Sequence, residues 1–289
     1  MNQRTIIVLV LVVGITASAF YVYVKAQENR KRDRKSEDFT PEYAKKLHEQ
    51  IKRQRESFEN AKAEVLAHPE SAEAHFNLAN AYHNDAVNTV GNDYDKIANE
   101  YRQAIKLNPN YAEAYNGLAI ICGQMNQFKK QFEAFDKAIS LKPDYAEAYC
   151  NLGFAHLWEN IAKSSAYPNF KHELKLAVKA FEQAIQKRPD YAEAYSGLGQ
   201  AYYYLNLNKR AVESFTKSIG LDPNSSSAHI ELCWAYIKLG NKEAAMKEHE
   251  ALVRLGKDAQ GDDALKELCE DSANAMLTEI ERHFANNSR

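Results

Sequence analysis

Pro109-Asn110-Tyr111-Ala112-Glu113-Ala114-Tyr115 returns almost unchanged as Pro143-Asp144-Tyr145-Ala146-Glu147-Ala148-Tyr149 and again as Pro189-Asp190-Tyr191-Ala192-Glu193-Ala194-Tyr195. Looser copies open at Pro69 (Pro-Glu-Ser-Ala-Glu-Ala-His) and at Pro223 (Pro-Asn-Ser-Ser-Ser-Ala-His). The five prolines stand 40, 34, 46 and 34 residues apart. A step of 34, lengthened once by six and once by twelve residues, marks a repeat with two insertions. That period is the length of a stacked helix-turn-helix unit.

The phrase reads as a helix junction. Proline cannot continue the helix before it, because it lacks the N–H and clashes with the preceding turn. The Asp or Asn behind it is placed to cap the next helix, and the Glu three residues on to reach back to the cap. Asn110 with Glu113, Asp144 with Glu147 and Asp190 with Glu193 have that spacing.

Between junctions the apolar residues fall in columns at helical spacing. The first helix of each unit reads Tyr115, Leu118, Ala119, Cys122; Tyr149, Leu152, Gly153, His156; Tyr195, Leu198, Gly199, Tyr202. The second reads Ala177, Phe181, Ala184, Pro189 and Ala211, Phe215, Ser218, Pro223, with Gln131 before Phe135, Ala138 and Pro143. The outer units drift: His75, Leu78, Ala79, Tyr82 opens the first, while His229, Leu232, Cys233, Tyr236, Ala245 and His249 carry the fifth. These columns resemble the tetratricopeptide repeat (TPR) family over about 71–257. The resemblance implies an all-α, right-handed TPR superhelix of about five repeats, 69–108, 109–142, 143–188, 189–222 and 223–257.

Working outward, a short tail (1–4) precedes residues 5–24, which carry no charged side chain. Twenty residues at 1.5 Å each span roughly 30 Å, the thickness of a bilayer's hydrocarbon core. A transmembrane helix is the expectation, with Tyr21 and Tyr23 at an interface. The rival is a cleaved signal peptide with Ala17-Ser18-Ala19 as its site, but the apolar run continues past it and only Arg4 lies ahead. The linker 25–39 holds Lys25, Arg30, Lys31, Arg32, Arg34 and Lys35. The positive-inside rule then places the repeats on the cytoplasmic side, with the periplasmic or extracytoplasmic side as the alternative. The same basic run reads as a solvated linker helix, with attraction to anionic lipid heads as a sharper reading that the residues do not require.

Thr40-Pro41 opens a leading helix, 40–68, in which Ala44, Leu47, Ile51, Gln54, Phe58, Ala61 and Val65 repeat every three or four residues. That stripe either packs on the first repeat or forms a short coiled-coil seam. A terminal helix over 261–285 sets Leu265, Leu268, Cys269, Ser272, Met276, Ile280 and Phe284 on one face, as the cap on an exposed solenoid end requires. The insertions lie within 83–93 and 157–173, the edge positions of a solenoid. They are either lengthened helices or, through Trp158, Tyr167 and Phe170, a secondary contact surface.

Little in the chain suggests chemistry. The net charge of −2 gives no general pull on nucleic acid. The nine histidines form no zinc-peptidase pair, and Gly197-Leu198-Gly199 fits close helix packing rather than a phosphate loop. Cys122, Cys150, Cys233 and Cys269 have no CxxC spacing and read as reduced, small apolar residues. No catalytic residue, metal or cofactor is expected. Stacked helix pairs offer instead a concave groove lined by first helices. The face opposite the core stripe carries Phe76, Asn80, Asn116, Ile120, Cys150, Phe154, Ser196, Gln200, Tyr203, Ile230 and Trp234. No Lys or Arg occurs in 71–95, 111–128, 144–162, 190–208 or 224–237. TPR domains that grip chaperone C-terminal carboxylates use paired basic residues there, so that clamp is not expected. The expectation is a membrane-tethered scaffold or assembly factor binding an apolar or basic protein segment; the alternative is a permanent subunit of a membrane complex.

Overall fold

The structure, a computed structural model, describes residues 41–88, 94–163, 170–258 and 263–286. The expected span at 5–24 and linker at 25–39 lie outside these residues. Among the described residues there are twelve helices and no strand, and no helix is long and apolar enough to cross a membrane.

The helices are α1 (Pro41–Ala67), α2 (Ala72–Asn88), α3 (Tyr94–Leu107), α4 (Ala112–Gln124), α5 (Phe128–Leu141), α6 (Ala146–Lys163), α7 (Phe170–Lys187), α8 (Ala192–Tyr204), α9 (Asn208–Leu221), α10 (Ser226–Lys238), α11 (Lys242–Asp258) and α12 (Asp263–Asn286). They fall into two compact units, residues 44–155 and residues from His156 onward. α2/α3, α4/α5, α8/α9 and α10/α11 pack as helix pairs.

At each junction the proline sits in a tight turn closed by backbone hydrogen bonds. The Tyr111 N–H donates to the Asn108 carbonyl at 3.1 Å, and the Tyr191 N–H to the Arg188 carbonyl at 3.2 Å. Asn110 and Asp190 are consumed by those turns, so the capping role expected of them is corrected. The N-caps of α4 and α8 are Tyr111 and Tyr191, and neither makes a side-chain cap bond. Capping appears where that tyrosine is replaced by serine: Ser71 Oγ accepts the Ala74 N–H at 3.1 Å and Ser225 Oγ the Ala228 N–H at 3.4 Å. Glu113 is turned to other use, accepting from Lys142 Nζ of the next junction at 2.8 Å.

The turn inside a repeat follows a second rule. Asn126, Asn206 and Gly240 have φ of 59°, 61° and 72°, the left-handed conformation that ends many helices. The residue after each donates back to the first helix, Gln127 to Cys122, Leu207 to Tyr202 and Asn241 to Tyr236, at 2.8, 2.9 and 3.0 Å. These bonds satisfy carbonyls the helix would otherwise leave bare and fold the second helix back on the first.

The insertions lengthen helices. α2 has 17 residues and α6 has 18, against 13 for α4, α8 and α10. α7 has 18 against 14 for α5 and α9.

In the first unit Ala79, Ile97, Ala98, Tyr101, Ala104, Ala114 and Ile121 form one core, and Ala119, Ala134, Phe135 and Ala155 the next. The leading helix α1 meets the repeats through Phe58, whose ring stands edge-on to Tyr82 with centroids 4.9 Å apart, and through buried Ala61. In the second unit α12 closes the stack as expected: Cys269, Ala273, Met276 and Ile280 join Ile230, Cys233, Ile237, Ala245 and Leu252 in one buried cluster. Among the described residues, the aromatics with the least surface are those of the second helices, Tyr101, Phe135, Phe181 and Phe215. Tyr115, Tyr149 and Tyr195 of the first helices are half-buried.

Candidate functional site

Within each unit, side chains of one first helix meet those of the next repeat's first helix directly. In the first unit Asn151 Nδ2 of α6 donates to Asn116 Oδ1 of α4 at 3.1 Å. In the second, Ser196 Oγ and Gln200 Nε2 of α8 donate to Glu231 Oε2 and Oε1 of α10, both at 3.0 Å. Asn151 and Glu231 stand at equivalent places, eight residues after their junction prolines, where Gly117 and Gly197 stand in the repeats before them. A polar side chain in that column reaches back and ties two repeats together.

Glu231 is only 4 % exposed, and burial pushes its carboxyl up to about 8, against the pull of its two hydrogen bonds. Its partner Gln200 has a buried Oε1 without a hydrogen-bond partner, and Trp234, three residues along α10, has a buried Nε1 without one. Tyr203, also on this face, is half-buried, and Lys238 Nζ lies 3.8 Å from its ring centroid. Burial pushes the Tyr203 hydroxyl up to about 12 and the Lys238 ammonium down.

The other expected groove residues are more unevenly placed. Phe76 stacks at a tilt on Tyr111, with centroids 4.9 Å apart, and Asn80 Oδ1 accepts the Tyr101 hydroxyl at 2.7 Å. Asn116 is buried, while Ile120, Phe154, Ser196 and Trp234 are half-buried. Cys150 and Ile230 are buried outright, Ile230 within the core beneath α12. Of the insertion residues, Trp158 and Phe170 are half-buried and Tyr167 lies outside the described residues.

Glu231 was missed by the sequence reading, which took the positions seven and eleven after each proline and passed over the eighth. Its signal was a carboxylate between Ile230 and Leu232 in an otherwise apolar run. The histidines of the first helices were also under-read. His75, His156 and His229 place Nδ1 against Glu100, Glu173 and Glu248 at 2.6, 2.8 and 2.7 Å. His75 and His229 also turn Nε2 to the carbonyls of Pro69 and Pro223 at 3.1 and 3.2 Å, pinning a junction to its own second helix.

No group of three or more His, Cys, Asp or Glu among the described residues is placed to hold a metal ion. All four cysteines are buried, and burial pushes the Cys233 thiol up to about 12, the behaviour of a packed side chain rather than a nucleophile.

Comparison with known families and structures agrees with this geometry. Family models described as "TPR repeat" and "tetratricopeptide repeat" match residues 121–157 and 171–206, 100–133, and 192–225. TTC0263, a thermophilic TPR protein of Thermus thermophilus, superposes with a TM-score of 0.56 at 18% identity, over 70% of this chain and 98% of its own. PilF of Pseudomonas aeruginosa gives 0.55 at 19%, over 75% and 93%. PilW, described as a widely conserved type IV pilus biogenesis factor, gives 0.54 at 19%, over 74% and 94%. Identities this low speak to the fold alone. No curated protein matches the chain.

Proposed function

We propose that this tetratricopeptide-repeat chain is a non-catalytic, membrane-tethered scaffold or assembly factor that holds a segment of a partner protein along its first helices. The observation that carries the reading is the polar column of those helices. Amides, a hydroxyl and one acid reach from repeat to repeat at Asn116–Asn151 and at Ser196, Gln200 and Glu231, among half-exposed aromatics, in stretches (111–128, 144–162, 190–208 and 224–237) that hold no Lys or Arg. Such a surface suits an apolar or basic segment, held by stacking and amide hydrogen bonds. The tether rests on residues 5–24 and the cytoplasmic placement on the six basic residues of 25–35. Reporter fusions after Arg289 test that placement: only a cytosolic reporter is active if it holds, and an active export-dependent reporter moves the repeats to the other side.

The lengthened α6 and α7, with half-buried Trp158 and Phe170, favour a second reading, a permanent subunit docked through that edge. Purification from membranes in mild detergent separates the two. A fixed stoichiometric complex that dissolves when 164–169 is deleted supports the subunit; a substoichiometric partner lost on substitution of Gln200 and Tyr203 supports the scaffold.

A further inference from the structure

Glu231 is a buried acid with no cation within ion-pair distance among the described residues. Its only partners are neutral donors, the Ser196 hydroxyl and the Gln200 amide, one on each oxygen. Each carboxylate oxygen can accept two hydrogen bonds, so half of its acceptor capacity is unused. Gln200, also 4 % exposed, holds a second unused acceptor in Oε1. Trp234, one turn along α10 from Glu231, holds an unused donor in its buried Nε1. Buried polar atoms are almost always partnered, so the unmet Gln200 Oε1 and Trp234 Nε1 call for a missing group. Among the described residues, burial and these two hydrogen bonds are what act on Glu231.

We propose that Glu231, Gln200 and Trp234 form a pocket for one basic side chain, an arginine above all, carried by an extended segment of a partner protein. The complementarity is specific. A guanidinium is a planar fork of five N–H donors with no acceptor, and can serve the Glu231 carboxylate and Gln200 Oε1 together. A backbone carbonyl of the same segment accepts the Trp234 Nε1–H. The half-exposed ring of Trp234 covers the apolar stem of the incoming side chain. As the cation enters, the proton held on Glu231 leaves to solvent, so the arriving charge replaces it. The pocket deepens the groove reading above and rests on it.

The test uses the full chain in mild detergent and a displayed random-peptide library. Enriched peptides are measured by fluorescence anisotropy at pH 8.5, each beside a copy with arginine replaced by citrulline, which keeps the shape and loses the charge. The pocket predicts enrichment of arginine and at least a tenfold weaker Kd for the citrulline copy. It also predicts that Glu231→Gln, near-isosteric and checked for an unchanged helical spectrum, loses both affinity and discrimination. Peptides that bind without a basic residue, or equally well to the Glu231→Gln variant, overturn the pocket and leave the groove standing. A library that yields no binder overturns both.

Discussion

Phe181 lies so close to Gly197 that its ring edge stands where a Cβ on that residue would have to be. The ring comes from the second helix of one repeat, α7, and the glycine from the first helix of the next, α8. Tyr101 meets Gly117 in the same way in the first unit, with ring carbons 2.5 Å from the Cβ position. Within a repeat the relation recurs at Phe215, 2.6 Å from the Cβ position of Gly199. The second-helix aromatic is thus held between its own first helix and the following one. Missing side chains on those helices are what allow the approach.

Gly197→Ala therefore forces a buried ring to move, at a cost of about 1–3 kcal/mol. Gly220→Ala is the matched control. It lies in α9 with nothing within 4 Å of its Cβ position, so it gains roughly 0.5–1 kcal/mol from helix propensity. Denaturant unfolding of the two variants checks this, and equal midpoints would show the contact to be slack.

The aromatic columns differ in what they hold. Phe135→Ala removes a buried ring and costs about 3–5 kcal/mol, whereas Tyr149→Ala, half-buried, costs less. Loss at Phe135 spreads to adjoining repeats, because a solenoid is stabilised mainly by its neighbours. Hydrogen exchange read repeat by repeat distinguishes the two substitutions. Greater loss from Tyr149→Ala would reverse the ranking of the columns.

The repeats were legible because the junction phrase is a local signal: proline ends one helix wherever it stands, and the columns then follow at helical spacing. The cap was misjudged for a local reason too, since Asn110 could serve either a turn or a helix and only backbone hydrogen bonding decides between them. The left-handed turns at Asn126 and Asn206 carried no glycine to announce them. Glu231 was harder still. Its burial depends on Ser196 and Gln200, which lie one repeat earlier in sequence, and spacing within its own helix reveals nothing of them.

Glu231 also sets a pH dependence. Its carboxyl is raised from 4.5 to about 8 in the fold, so between those values the folded chain holds a proton that the unfolded chain has released. Stability from this group is full below about pH 4.5, falls as pH rises, and levels off above about pH 8. Glu231→Gln lacks the titration, and the variant gains on the wild type by on the order of a few kcal/mol between pH 5 and pH 9. The comparison cancels every other titrating group. A stability difference that stays constant across that range would show Glu231 to be ionised in the fold.

The face on which Glu231 sits also decides what the chain refuses. An acidic peptide ending in a free carboxylate needs donors or cations to receive it, and α4 and α8 offer none of the latter. On α10 the basic residue, Lys238, is at the last turn and engaged over the Tyr203 ring at 3.8 Å. Helix starts favour acids, which explains Glu113, Glu147 and Glu193 in the first turns but not the lack of Lys and Arg in the turns that follow. Bringing a carboxylate beside the buried Gln200 Oε1 sets acceptor against acceptor in a poorly solvated place, where repulsion is least screened. An acidic chaperone-tail peptide titrated into residues 41–289 is therefore expected to give no saturable binding at low salt, where electrostatic attraction is strongest. Micromolar binding that salt abolishes would mean that the face is electropositive where a ligand meets it, and the basic-segment reading would fall with that result.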